Sequence, residues 1–153
     1  MYLGQTPRDS NEVSLRSNPE PIHLRTRDGA AYFLRLRQLL QFVNDDRFRG
    51  EVRLSTRAYI YSIYDSPGMM EVEPLVYWHW SPPTDGRDPH VHAPVGDPAG
   101  RGMRLHLPTG RRVSVEQIVE HLIEEWGVVP ARADWRSVLQ DNRTRFETYR
   151  RQD

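Results

Sequence analysis

The sequence predicts an α+β fold: a small antiparallel sheet, made of a hairpin and two short strands, packed by an N-terminal helix and two C-terminal helices. Three observations carry that expectation. Residues 51–65 and 72–81 are rich in β-branched and aromatic types, and Ser66-Pro67-Gly68 between them is turn chemistry. Residues 115–126 repeat Val115, Ile118, Val119, Leu122, Ile123 and Trp126 at helical spacing. A helix, then several antiparallel strands, then two helices, is a segregated α+β order and not an alternating one.

Taken in order, residues 1–27 are polar, carry Pro7, Pro19 and Pro21, and lack periodicity. They read as a flexible or loosely docked arm ahead of a single domain over 28–153. Asp28 is placed to cap a helix over roughly 29–46. In it Tyr32, Phe33, Leu36, Leu39, Leu40 and Val43 recur at helical spacing, and Arg35, Arg37, Gln38 and Gln41 fall mostly on the other side, which reads as the solvated back of a core-facing helix or, alternatively, as an RNA-contacting arginine face. The hairpin follows, with Pro74 near the start of its second strand, where a missing N–H costs little. The loop 82–88 leads to a short strand around 89–93. A second Gly/Pro-rich loop, Pro94 to Gly102, leads to residues 103–107. There Met103, Leu105 and Leu107 alternate with Arg104 and His106.

Pro108-Thr109-Gly110 turns the chain. Ser114 and Gln117 form a capping box for the helix over 115–126, and Gly127 suits the position just past its end. Asp134 is placed to cap a last helix through about Arg150, with Trp135, Val138, Leu139, Phe146 and Tyr149 on its apolar stripe.

Composition narrows the chemistry. A chain of 153 residues fits one domain, and 37% hydrophobic content can build a core. All 21 basic residues are arginine, the cation best suited to bidentate phosphate and carboxylate contacts. Net charge is zero, so any basic patch must be local. There is no cysteine, which excludes disulfides, a thiol nucleophile, thiolate zinc sites and Fe–S ligation. No apolar leader and no run of 18 apolar residues stand out, so the expectation is a soluble, cytoplasmic protein with no membrane partner. Gly96 to Gly102 is glycine-rich but lacks the phosphate-loop spacing and its lysine, and no nucleophile elbow is present.

The stretch that carries chemistry is Tyr77-Trp78-His79-Trp80, a loop, then Asp88-Pro89-His90-Val91-His92. Residues i and i+2 of a strand share a face, so His90 and His92 project together. His79 joins them if the flanking strands pair. Two functional readings stay open beside a structural one, in which the rings only bond locally next to a turn. In the first, the imidazoles act as general base and acid on a phosphodiester, with His79 orienting one of them and with no metal. Arg87, Arg104, Arg57 or Arg101 would supply the cation that such chemistry needs. In the second, His79, His90 and His92, with Asp88, hold a divalent metal such as zinc and support hydrolysis.

The neighbouring aromatics Tyr59, Tyr61, Tyr64, Tyr77, Trp78 and Trp80 could stack bases on an exposed sheet, with Tyr77 or Trp80 best placed for it. The competing expectation is that the tryptophans pack beneath the helices. By alternation Tyr59 and Tyr61 are expected to share a face with Tyr77 and His79, and Trp78 and Trp80 to take the other. His106 with Arg104 reads as a polar strand face, His121 as helix surface, and His23 carries no signal.

The order of these motifs, with His106-Leu107-Pro108-Thr109-Gly110-Arg111-Arg112-Val113-Ser114 and Glu124-Glu125-Trp126-Gly127-Val128, resembles a group of small bacterial proteins with a Pro-His-x-His motif. More distantly it resembles the TumE-like toxins of toxin–antitoxin pairs, over about residues 30–140. The resemblance implies a toxin of ribonuclease type, commonly encoded beside a helix-turn-helix antitoxin. The matching positions are His90 and His92, with Tyr61 and His79. The chain departs from the toxin pattern in lacking lysine near the histidines and in its longer Pro/Gly loops. The functional expectation is therefore a toxin-like, metal-independent endoribonuclease that needs no cofactor, acting on RNA and held by a cognate antitoxin or neighbouring-gene protein. The alternative is a non-enzymatic protein-binding subunit that docks its partner through Trp78, Trp80 and an arginine-rich surface.

Overall fold

A computed structural model describes residues 2–5, 12–16, 20–44, 52–68, 73–81, 88–94, 104–109 and 111–149. Its strands are β1 (Tyr2–Gln5), β2 (Glu12–Arg16), β3 (Ile22–Arg25), β4 (Ala31–Asn44), β5 (Val52–Tyr64), β6 (Val76–Trp80), β7 (His90–Pro94) and β8 (Arg104–Pro108). Two helices follow, α1 (Val115–Glu124) and α2 (Trp135–Tyr149). The strands form one antiparallel sheet in the order β1-β2-β4-β5-β6-β7-β8, and β3 pairs with β4 on the same edge as β2. The α+β class holds, and both helices come after the sheet.

The expected helix over 29–46 is instead β4, the longest strand at 14 residues. The reason is visible in Leu34-Arg35-Leu36-Arg37, which alternates with period two. Leu34 and Leu36 are buried while Arg35 and Arg37 are exposed. Leucine, arginine and glutamine are good helix formers, so local propensity and a chance 3.6-residue spacing pointed the other way. Pairing along nearly the whole strand with β5, and on the other edge with β2 and β3, decides the conformation.

Asp28 caps no helix. Its carboxylate accepts from the Thr26 hydroxyl and from the Ala30 N–H, closing the β3–β4 turn. Gly29 supplies the left-handed backbone there, at φ 87°. The boundary expected at residues 27 and 28 thus falls inside a hairpin turn. The segment expected to be an arm contributes β1, β2 and β3 to the sheet.

The β5–β6 hairpin, the short β7 and the alternating β8 form as expected, in one register. Cross-strand partners share a face. Tyr61 lies opposite Leu36 on one side and Trp78 on the other, and Ile63 lies between Leu34 and Val76 in the same way. This apolar face is covered by the helices. Leu34, Leu36, Tyr59, Tyr61, Ile63, Val76, Trp78 and Trp80 form one core with Ile118, Leu122 and Ile123 of α1. Helix α1 begins at Ser114 with the expected capping box, in which the serine side chain accepts from the Gln117 N–H and the Gln117 side chain accepts from the Ser114 N–H. Gly127, at φ 68°, turns the chain after it, and Val128 bridges back to Thr26. Arg143–Glu120 and Arg136–Glu124 ion pairs, each at 2.8 Å, tie α2 to α1. The Asp134 carboxylate accepts two N–H donors from Arg132.

Along β5 the register slips between Thr56 and Ala58, an extra-residue bulge at Arg57. Beyond it, Phe42, Val52 and Leu54 continue the apolar face and are exposed.

Candidate functional site

The opposite face of the sheet carries the imidazoles. His79 and His90 are direct cross-strand partners, and His92 follows on the same side of β7. The ring centroids of His79 and His90 are 5.3 Å apart, and those of His90 and His92 are 4.8 Å apart, both edge to face. Tyr77 faces His92 across the strands and lies flat on its ring, at 4.1 Å and 10°. The register sets His106 of β8 opposite His92 and sets Arg104 opposite Pro94. Period-two strands paired in this register therefore gather three histidines, and the backbone position of a fourth, on adjacent strands.

The three rings are not equivalent. His90 is 3% exposed, while His79 and His92 are half-buried. His90 Nδ1 lies 2.8 Å from the Asp88 backbone carbonyl. A carbonyl only accepts, so Nδ1–H donates to it. Asp88 itself is exposed and serves the cluster through its main chain. His90 is thus a fixed, buried centre flanked by two rings that reach solvent.

Several expected site residues lie elsewhere. Tyr61 is fully buried on the helix side, where its hydroxyl accepts from Gln38, and burial pushes its phenol well above the usual range. Tyr59 stacks on Tyr61 at 4.8 Å, bonds the Val113 N–H and is also shifted upward by burial. Neither shares a face with Tyr77, because Tyr61 registers with Trp78 and Ser62 registers with Tyr77. Trp80 is buried on the same side as Tyr61, with the Arg112 guanidinium 3.8 Å over its ring. It cannot stack a base, and Trp78 and Trp80 cannot dock a partner as the binding alternative expected. Their place under the helices follows the competing reading of the aromatics. Of the proposed stackers, Tyr77 and Tyr64 share the imidazole face, and Tyr64 is buried there opposite Phe33.

Arg87 and Arg101 lie outside the described residues. Arg57 is exposed at the bulge. Among the described residues no group of three or more histidine, aspartate or glutamate side chains is arranged to hold a metal ion, so the set His79, His90, His92 and Asp88 gains no support as a metal centre.

The imidazole face extends far beyond the cluster. Arg35 and Arg37 of β4 lie opposite Ser62 and Ile60, and so share the side of Tyr77 and His79. Arg16 of β2 is opposite Arg37, and Arg25 of β3 is opposite Ala31. All four arginines are exposed. His23 stacks on Phe33 on this side, at 5.1 Å and 10°. Sequence reasoning gives Arg16, Arg25 and His23 no role because 1–27 reads as an arm, and it sets Arg35 and Arg37 on a helix face instead of on a strand. The signal that finds them is the Leu-Arg-Leu-Arg alternation, which puts both arginines on the side away from the core.

No protein-family model, characterised protein or solved structure matches this chain. No helix among the described residues is long and apolar enough to cross a membrane.

Proposed function

We propose that this chain is a small RNA-cleaving enzyme of the toxin type, working by metal-independent acid–base chemistry at the His79–His90–His92 cluster. The observation that carries the reading is the convergence of three imidazoles, at 4.8 and 5.3 Å, on one face of the sheet. Cleavage of RNA by its own 2′-hydroxyl needs one group to take the hydroxyl proton and another to protonate the leaving oxygen. His79 and His92 reach solvent and carry those transfers. His90 is too buried to touch a phosphodiester, and it positions the flanking rings from its anchor on the Asp88 carbonyl. Tyr77 lies flat on His92 and holds the plane of that ring.

The test is cleavage of a single-stranded RNA in excess chelator by the wild type and by His79→Ala and His92→Ala. The expected result is cleavage by the wild type and a loss of roughly 10²–10⁴-fold in each variant, the usual contribution of a positioned acid or base. Cleavage unchanged in both variants overturns the assignment. The toxin reading adds a cognate antitoxin as partner.

A second reading, a protein-binding subunit without turnover, draws on the exposed apolar strip Phe42, Val52 and Leu54. Such a strip suits a protein partner. Loss of a co-purifying neighbouring-gene product in Phe42→Ser with Leu54→Ser, together with absent RNA cleavage, favours it over the enzyme.

A further inference from the structure

Charge is sorted between the two faces of the sheet. The strands hold the arginines Arg16, Arg25, Arg35, Arg37, Arg53, Arg57 and Arg104, and a single acidic residue, Glu12. This occurs in a chain whose net charge is zero. By register Arg16, Arg25, Arg35 and Arg37 belong to the face away from the helices, and all four are exposed. The same registers assign to that face the strand histidines His23, His79, His90 and His92, with the backbone of His106 beside His92. The sixth histidine, His121, is on α1, edge-on to Trp78 on the other side.

Such sorting is not needed for folding. Arg16 and Arg37 are direct cross-strand partners, and like charges in that relation are destabilising. Arginine offers a bidentate fork to phosphate oxygens, so the face has the chemistry of a phosphate track rather than of a general solvated surface. Two flat ring stacks lie along it, His23 on Phe33 and Tyr77 on His92. Flat rings on a sheet are platforms for unpaired bases, as basic grooves with interleaved aromatics are in single-strand binders. Four inter-strand steps separate β2 from β7, on the order of 19 Å.

We propose that this face is a binding track for single-stranded RNA. It runs from Arg16, Arg37, Arg35 and Arg25, with the His23–Phe33 stack as a base platform, across β5 to the imidazole cluster. The inference extends the proposed ribonuclease reading by naming its substrate class and path. It is tested by binding alone, so the two can fail separately.

The experiment is a binding titration at several salt concentrations with a single-stranded RNA of roughly a dozen nucleotides. It uses the full chain carrying His79→Ala and His92→Ala, so that no cleavage intervenes. Expected are salt-dependent binding, at least tenfold weaker binding when Arg35→Gln and Arg37→Gln are added, and a shallower salt slope by about 1.4 for two lost contacts. Arg145→Gln on α2 leaves binding unchanged, and a blunt RNA duplex of the same length binds at least tenfold more weakly. Phe33→Leu weakens binding without altering the salt slope.

Absence of binding, equal binding by the arginine variant, or equal affinity for the duplex overturns the proposal. Competition by a polyglutamate peptide as strong as by RNA of matched charge also overturns it, in favour of an acidic protein partner. Binding as described together with no cleavage by the wild type overturns the ribonuclease reading and leaves the track standing.

Discussion

The two faces of this sheet are built from the same strands and obey opposite rules. On the helix side, Leu34, Leu36, Tyr61, Ile63 and Trp78 are packed against Ile118 and Leu122, and the buried Tyr61 hydroxyl accepts from Gln38. On the other side, arginines sit opposite one another, imidazoles cluster, and aromatic rings stack in half-exposed pairs. One face is packed for stability, and the other presents charge and half-buried rings at its surface. The period of two lets one sequence serve both, since each strand residue commits to a single side.

Substitutions separate the faces, and the largest expected effects are on rate. His92→Ala removes roughly 10²–10⁴-fold of RNA cleavage with the thermal midpoint nearly unchanged. Parallel activity and melting assays check it. A fall in stability matching the fall in activity would erase the distinction between the faces.

Next comes the apolar face. Trp78→Ala costs about 3–5 kcal/mol, since it empties the space beneath α1. Denaturant unfolding measures this. A cost below about 1 kcal/mol would mean that the tryptophan is not a core residue.

Alkaline pH acts on the apolar face too. Burial raises the phenols of Tyr59 and Tyr61 above their ordinary value, so the folded state holds these protons more tightly than the unfolded chain. Their contribution is complete below the ordinary phenol value of about 10 and is lost as pH rises past it. Stability therefore declines above about pH 10. Tyr61→Phe costs roughly 1 kcal/mol at neutral pH, because Gln38 loses its partner, and it flattens that alkaline decline. Unfolding curves at neutral and alkaline pH give both numbers.

Smaller effects mark the ends of the scale. Ser114→Ala costs about 1 kcal/mol by breaking the capping box of α1. Arg37→Gln, which relieves the pairing with Arg16, raises stability by a few tenths of a kcal/mol while weakening RNA binding. A destabilising Arg37→Gln would show that the pair is structural.

Much of this was legible in the chain. The hairpin, the strand carrying His90 and His92, the capped helix after Ser114 and the convergence with His79 all follow from alternation, turn residues and capping chemistry. The helix read into 29–46 failed because Leu, Arg and Gln favour helices locally, and because Tyr32, Phe33, Leu36 and Leu40 mimic a helical stripe. What decided β4 was pairing with segments distant in sequence, which no local window contains. The Asp28-Gly29 pair, a hairpin-turn signal, was spent as a helix cap. The faces of Tyr59 and Tyr61 were misassigned because alternation fixes sides within one strand only. The relation between strands needs the register, and Tyr61 pairs with Trp78, not with Tyr77.

The central claim is that the arginine–imidazole face is where this protein meets its ligand. A backbone and side-chain NMR titration with single-stranded RNA tests it most directly. The account predicts shifts concentrated at His23, Phe33, Arg35, Arg37, Tyr77, His79 and His92, with α1 and α2 unmoved. Shifts confined to the helices, or none at all, would contradict it.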